Sequence, residues 1–378
     1  MKSAVPGSHT ITLFIIIGLC MVITGCSERF ASYDILVSKF DAEGQNVWST
    51  KIGSEKQDIA TAIIETSDNG YVVAGGIADT PGGTTYPRII KLNQTGGILW
   101  DRTLDAPDSQ AIAIAQSQDG EFVVAQYIAN LNAGMVSKID NDGRPVWNRT
   151  FDFTIHDMIP TRNGGYALAG GHTSELDRNG TPVWDLPYTS TSIIQAADGG
   201  FFAENSYPPQ NREVGNTRGS LLHLDANGTW VWTQPVGSHA MGKITSLRET
   251  PEGMIEIVYT YWDTTNDNVE SKQVSFGVES EQLSFGKDGT PSATQSLVAV
   301  DPLTRTSDGG YAFMAYSFPG SAAFTTLPHT DSTLHIVRLS PQGAIVWDRS
   351  LDLGSMAAPE SILQTRDGGF VTLVLLGS

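Results

Sequence analysis

Residues 89–100, IIKLNQTGGILW, decide how this chain is read: an apolar strand, a polar turn, then a second strand carrying Trp100 four residues after Gly96. The figure returns as KFDAEGQNVW ending at Trp48, KIDNDGRPVW at Trp147, ELDRNGTPVW at Trp184, HLDANGTWVW at Trp232 and RLSPQGAIVW at Trp347. Gly precedes Trp by four residues in every one of these copies. A worn copy, QVSFGVESEQLSF, has Phe285 in place of the Trp. A period of this length marks an array of supersecondary units.

Working outward, a second figure follows each first one. DIATAIIETSDNGYVVAGG (58–76) has copies beginning at Ala111, Ile159, Ser192, Ser246, Leu303 and Ser361. Asp-Gly or Asn-Gly between two β-rich runs supplies the positive φ angles of a tight hairpin. The two figures alternate, so one unit holds four antiparallel strands. No helical periodicity shows beyond the leader. Seven such units predict an all-β chain, a seven-bladed β-propeller of four-stranded antiparallel blades. The chain opens with an outer strand pair (33–52) and finishes with an inner pair (359–376). The last blade is therefore expected to be closed by both termini, which leaves no open sheet edge at the seam. Trp48, Trp100, Trp147, Trp184, Trp232 and Trp347, with Phe285, are expected as wedges between neighbouring blades.

The formal charge of −18, from 41 acidic and 23 basic residues, speaks against nucleic acid, which needs a positive footprint. Only Cys20 and Cys26 occur, so residues 33–378 can form neither a disulfide nor a thiolate metal site. Lys2, the apolar run 10–25 and Cys26 behind Ile23-Thr24-Gly25 read as a signal peptide (1–25) ending in a lipobox-like motif. Cys26 is the expected lipidation site and 26–32 a tether. The expected location is outside the cell membrane, held there by lipid.

The units resemble those of bacterial and archaeal surface lipoproteins built of seven-bladed propeller repeats, whose consensus runs Lys-x-Asp-x-x-Gly-x-x-x-Trp and then Thr-x-Asp-Gly-Gly-Tyr. The resemblance spans residues 33–378 and implies the propeller fold. They are also similar to the tryptophan-docking units of quinoprotein dehydrogenases and of outer-membrane assembly propeller lipoproteins. Quinoproteins bind calcium and a quinone, but this chain has no adjacent Cys pair and no clustered Asn/Glu/Asp set. No cofactor and no metal are therefore expected. The resemblance is weakest at 155–186, which is short, and at 241–288, which lacks the Trp and the Asp-Gly.

Both tight turns of a unit fall on one face. The connections from second to third strands (77–87, 128–134, 171–174, 206–219, 261–271, 318–332) and between blades fall on the other, and their lengths vary. Loops on a rigid scaffold carry function. Tyr86, Tyr127, Tyr207, Arg212, Arg218, Trp262, Asp263, Phe318, Phe324 and His329 lie in these connections as candidate binding residues. Aromatics beside Arg or Asp suit protein or glycan contacts. No catalytic set emerges: His156, His172, His239 and His329 read as scattered loop residues. Thr306-Ser307-Asp308-Gly309-Gly310-Tyr311 resembles the Asp-box of sialidases, a folding element. Asn93, Asn148, Asn179 and Asn227 head sequons, possible glycosylation sites in an exported chain. The expected function is a non-enzymatic scaffold binding a surface protein or polysaccharide. The alternatives are a glycan-active hydrolase or lyase and a quinoprotein- or assembly-type propeller. Oligomeric state stays open.

Overall fold

The computed structural model describes residues 33–205, 220–236, 242–250, 253–262, 278–285, 291–297, 302–317, 324–325, 333–353 and 357–377. The leader, the tether and Cys26 lie outside them. The described residues form strands and no helix, gathered into seven antiparallel sheets. In the second sheet Gln57–Glu65, Tyr71–Ala78, Thr85–Leu92 and Ile98–Thr103 pair in chain order, and the next four sheets repeat that order. The first sheet joins the two ends of the described chain, in the order Asn46–Ile52, Tyr33–Phe40, Phe370–Gly377, Ala357–Gln364. Its central pairing runs without a break from Tyr33↔Gly377 to Phe40↔Phe370.

The two units whose motifs are weakest still build complete sheets. The fourth consists of Ile155–Pro160, Tyr166–Gly170, Thr173–Leu176 and Pro182–Leu186, and the sixth of Gly242–Glu249, Ile255–Trp262, Val278–Phe285 and Pro291–Leu297. The register corrects the expectation for Phe285. It ends the third strand of the sixth sheet, and Ser284 pairs with Ala293 as Lys91 pairs with Trp100. Ala293 thus holds the Trp position, four residues after Gly289. The seventh sheet departs from four strands. Phe324–Thr325 adds a short fifth strand that pairs Tyr316 and Ser317, past the Leu303↔Phe313 pair with which the described first strand begins.

Strand order explains the burial gradient. Second strands such as Tyr71–Ala78 and Phe122–Ile128 are covered on both faces and read as near-continuous apolar runs. Fourth strands are open to solvent and expose an aliphatic residue just before the Trp: Val47, Leu99, Val146, Val183, Val231 and Val346. The first strands of the seven sheets touch in succession, and Ala357–Gln364 of the first sheet touches Gln57–Glu65 of the second.

The indoles pack across sheet boundaries, three of them in the same way. Trp48 packs edge-on against Tyr71 at 5.6 Å and donates its Nε1–H to the Gln94 carbonyl of the next outer turn. Trp100 repeats this with Phe122 and Asn141, and Trp347 with Phe370 and Ala42. Trp184 packs on Phe201 but donates to Glu175 of its own sheet. Trp147 packs in the cluster holding Tyr166, and Trp232 in one that includes Ile255 of the next sheet. The turn Gly receives the preceding indole: at Gly96, with φ +81°, an added Cβ would lie 2.5 Å from Trp48 Cε3. Gly-x-x-x-Trp therefore encodes a socket for one unit's indole and a plug for the next.

Within a sheet, the Lys two residues before the Asp or Asn of the outer turn reaches the inner turn. Lys39 donates to Thr365 and Asp367, Lys91 to Thr66 and Asp68, and Lys138 to Asp119 and Glu121. Arg338 replaces Lys on Asp308, and in the fourth sheet the polarity reverses, with Asn163 donating to Glu175. Burial works to raise Asp68, Asp119 and Asp367, but hydrogen bonds led by the Lys outweigh it and bring each to about 2. Their folded values lie below the unfolded one, so the stabilisation is present above the ordinary 3.8 and is lost as pH falls toward about 2. Urea midpoints measured across that window should decline, and Lys91→Met should flatten part of the slope. The carboxylates are more than half exposed, which keeps each contribution small.

Candidate functional site

The two ends of the fold differ in regularity. Five residues separate the first and second strands of every sheet, and five separate the third and fourth, as at 66–70 and 93–97. Hydrogen bonds at this end join the inner turns, or the strand ends beside them, to the neighbouring sheet. Arg366 N–H donates to Glu65, Ser67 N–H to Gln116, and Gln118 to the Arg162 carbonyl. Arg162 N–H donates to Gln195, Ala197 N–H to Glu249, Arg305 to Glu256, and Ser307 N–H to Gln364. The donor lies on the earlier of the two sheets in the first five of these bonds, and on the seventh sheet both in Arg305–Glu256 and in Ser307–Gln364, whose acceptor belongs to the first sheet.

The opposite end receives the second-to-third connections, which range from residues 171–172 in the fourth sheet to 263–277 in the sixth. Two expectations for this end change. Tyr86 lies within the strand Thr85–Leu92, opposite Ile77, and Tyr127 within Phe122–Ile128, opposite Gln110 and Gly134. Strand pairing runs further than the Gly and Pro residues suggest, because the ladder satisfies their backbone groups. Both side chains are half-buried, and Tyr127 Oη donates to Asn132 at 3.3 Å. Trp262 and Phe324 also belong to strands, and their side chains fall outside the described residues. Tyr207, Arg212, Arg218, Asp263, Phe318 and His329 lie outside the described residues altogether. No described contact joins Tyr86 to Tyr127.

Six of the seven first strands carry a bulge at the same place, skipping Thr61, Ile112, His156, Thr191-Ser192, Thr245 and Glu360. A bulge re-aims the side chain it frees. Thr61 Oγ1 donates across the boundary to the Ala111 carbonyl at 2.8 Å, and His156 Nδ1–H to the Ser190 carbonyl at 3.2 Å. His156 is thus a strand residue, not the loop residue its flanks suggest. Burial pushes its pKa down and outweighs the bond to Ser190, which works to raise it. Asp157 beside it accepts from Ile193 N–H and Met158 N–H, and burial pushes its carboxyl up.

Three cross-strand pairs lie nearer the irregular end, each using an Asp directly after a Trp. Arg88 clasps Asp101 through Nε at 3.0 Å and Nη2 at 2.6 Å, and its Nη1 meets the fully buried Asp58. Burial opposes the charge of Arg88, but these carboxylates outweigh it and hold the guanidinium above its usual value. His172 Nδ1 lies 2.9 Å from Asp185, and its ring stacks on Phe153 at 4.6 Å. His335 Nδ1 lies 2.7 Å from Asp348. The Trp-Asp dipeptides were the only sequence signal for these pairs, since their partners sit on the neighbouring strand. Among the described residues no group of three or more His, Cys, Asp or Glu could hold a metal ion.

Residues 34–152, less than half of the chain, match the family profile described as outer membrane protein assembly factor BamB. No curated protein matches the chain. Among solved structures, a catalytically inactive virginiamycin B lyase from Staphylococcus aureus, solved with quinupristin, aligns with a TM-score of 0.53 at 11% identity, covering 83% of this chain and 94% of that one. The Pan2 WD40 domain of Neurospora crassa aligns with a TM-score of 0.50 at 12% identity, covering 84% and 89%. At such identities the likeness speaks for architecture alone. The chain is a β-propeller repeat protein.

Proposed function

We propose that this chain is an exported, lipid-anchored surface protein, residues 33–378 of which close into one seven-bladed ring that binds a protein or polysaccharide through its irregular end. The observation that carries this reading is the contrast between the ends. Turns of one length, tied sheet to sheet by hydrogen bonds, occupy one end, and connections of unequal length occupy the other. A scaffold that varies only where its loops converge has the anatomy of a recognition surface. The hydrogen-bond succession and the seam sheet support closure. The partial likeness to an assembly-factor family supports work done through protein contacts. The membrane anchor rests on Cys26 and the apolar run before it.

The test compares the full chain with a Tyr207→Ala/Trp262→Ala/Phe324→Ala variant, both against purified surface polysaccharide and against envelope proteins cross-linked in place. Aromatic anchors at an interface are each worth about 2 kcal/mol or more, so the variant should bind at least about thirtyfold more weakly. Fatty-acid labelling of Cys26 in the same preparation checks the anchor. Equal recovery by both proteins would remove the irregular end as the binding surface.

A further inference from the structure

The His335–Asp348 pair differs from its two counterparts in what lies on the other side of the basic side chain. Arg88 has the buried Asp58 there, and His172 has the ring of Phe153 against its face. His335 instead directs Nε2 at Ser317 Oγ, 2.8 Å away, while Nδ1 meets Asp348 Oδ1 at 2.7 Å. We propose that Ser317, His335 and Asp348 form a nucleophile–base–orienter set that hydrolyses a small, uncharged carboxylic ester.

The polarity of the set follows from the chemistry of its members. An ionised carboxylate only accepts hydrogen bonds, so the proton on the imidazole sits on Nδ1. Nε2 then presents its lone pair to the seryl hydroxyl, which donates to it. Both distances fall in the range of about 2.6–3.2 Å expected of a nucleophile with its base and of a base with its orienter.

The sheet holds this arrangement in place. Ser317 ends the second strand and pairs on one side with Phe324 and on the other with Thr333. His335 lies two residues beyond Thr333, and it pairs with Ser350, two residues beyond Asp348. Alternation along each strand therefore puts Ser317, His335 and Asp348 on one face of the sheet. Groups carried on strands hold a geometry better than groups carried on loops. The site is open to reactants: Ser317 is half-buried, and the side chains of His335 and Asp348 are 17% and 36% exposed. The last residue of a second strand also lies at the irregular end of the fold. A net charge of −18 favours a neutral ester over an anionic one.

Ser317 Oγ attacks the carbonyl carbon as its proton passes to His335 Nε2. Collapse of the tetrahedral species breaks the carbon–alkoxide bond, and the departing alcohol takes that proton, leaving an acyl-serine. Water then adds to the acyl carbon and gives a proton to Nε2. The second collapse releases the carboxylic acid and returns the proton to Oγ. The sum is ester plus water to acid plus alcohol, with no redox partner. Asp348 acts as a positioning residue, holding the imidazole in the required tautomer.

The test treats the folded full chain with a fluorophosphonate probe and follows p-nitrophenyl acetate hydrolysis in parallel. One adduct should map to the peptide holding Ser317, and Ser317→Ala should abolish both the adduct and the hydrolysis. Asp348→Asn should retain the native circular dichroism yet slow labelling by as much as about 10⁴-fold, the consequence of a wrong tautomer. His172→Asn, which removes the counterpart pair without a hydroxyl, should leave both signals unchanged. Absence of an adduct at Ser317, or labelling of a folded Asp348→Asn protein at the unaltered rate, would overturn the assignment. Partner recovery by the irregular end is a separate readout, so the two proposals can fail independently.

Discussion

Replacing Trp347 with Ala lowers the unfolding free energy by about 3–5 kcal/mol, the range for truncating a buried aromatic side chain. Trp347 is the most buried of the repeat indoles, at 8% exposure, and it spans the boundary between the seventh sheet and the one built from both ends of the described chain. Its ring meets Phe370 edge-on at 5.5 Å, and Nε1 donates to the Ala42 carbonyl at 3.0 Å. Arg349 lies over the ring at 5.7 Å. Truncation removes all of these together and leaves a void against Gly44. The reciprocal change, Gly44→Ala, acts on the same socket from the other side. Its φ of +78° is strained for Ala, by about 1–2 kcal/mol, and the new Cβ would sit 3.0 Å from the indole. Once the indole is gone the steric part of that cost vanishes, so the double variant should lose less than the sum of the single losses. Urea unfolding of the four proteins measures this, and strict additivity would refute the socket.

The second large effect is at Arg88. Its side chain is 9% exposed, and its partner Asp58 is fully buried. Arg88→Met keeps much of the volume but leaves the Asp58 carboxylate with only Ser54 N–H at 3.1 Å and Ser54 Oγ at 3.3 Å. Breaking a buried pair from one side costs about 3–5 kcal/mol, because a charge is left without compensation. Asp58→Asn in the same chain should recover most of the loss, since no charge then remains to bury. The pH dependence has a definite sign. Burial pushes Asp58 above its ordinary 3.8 even with Arg88 in place, and removal of the guanidinium pushes it further. A carboxyl raised in the folded state binds its proton more tightly there. Its contribution therefore falls as pH rises from the unfolded value through the folded one, then levels off. The Arg88→Met protein should be closest to wild type in acid and furthest from it near neutrality. A loss that does not vary with pH would show that packing, not charge, governs the site.

Much of the architecture was legible because its signals are local. Asp-Gly, Asn-Gly and Gly-x-x-x-Trp act within a few residues, so the turns and the four-strand unit could be read without long-range information. Phe285 shows where that reading stops. Once the Trp is lost, an aromatic nearby takes its place in the pattern, and only the pairing of Ser284 with Ala293 settles the register. Tyr86 and Tyr127 show the same limit, since strand length depends on what lies alongside. The candidate site was less legible. Trp-Asp at 100–101, 184–185 and 347–348 is visible in the chain, but nothing local says that Arg88, His172 and His335 will stand diagonally across from those carboxylates.

The sequence by itself determined the number of units, the position of every tight turn except the outer one of the sixth sheet, the pairing of the two chain ends in one sheet and the division into a regular and an irregular end. These follow from backbone stereochemistry and from spacing along one strand pair. Only the tertiary structure decided which Gly receives which indole, that hydrogen bonds join neighbouring sheets at the inner-turn end, and that Ser317, His335 and Asp348 share one face. Each of those joins residues on different strands or sheets, so their energies depend on register and on the approach of neighbouring sheets, which no local pattern encodes.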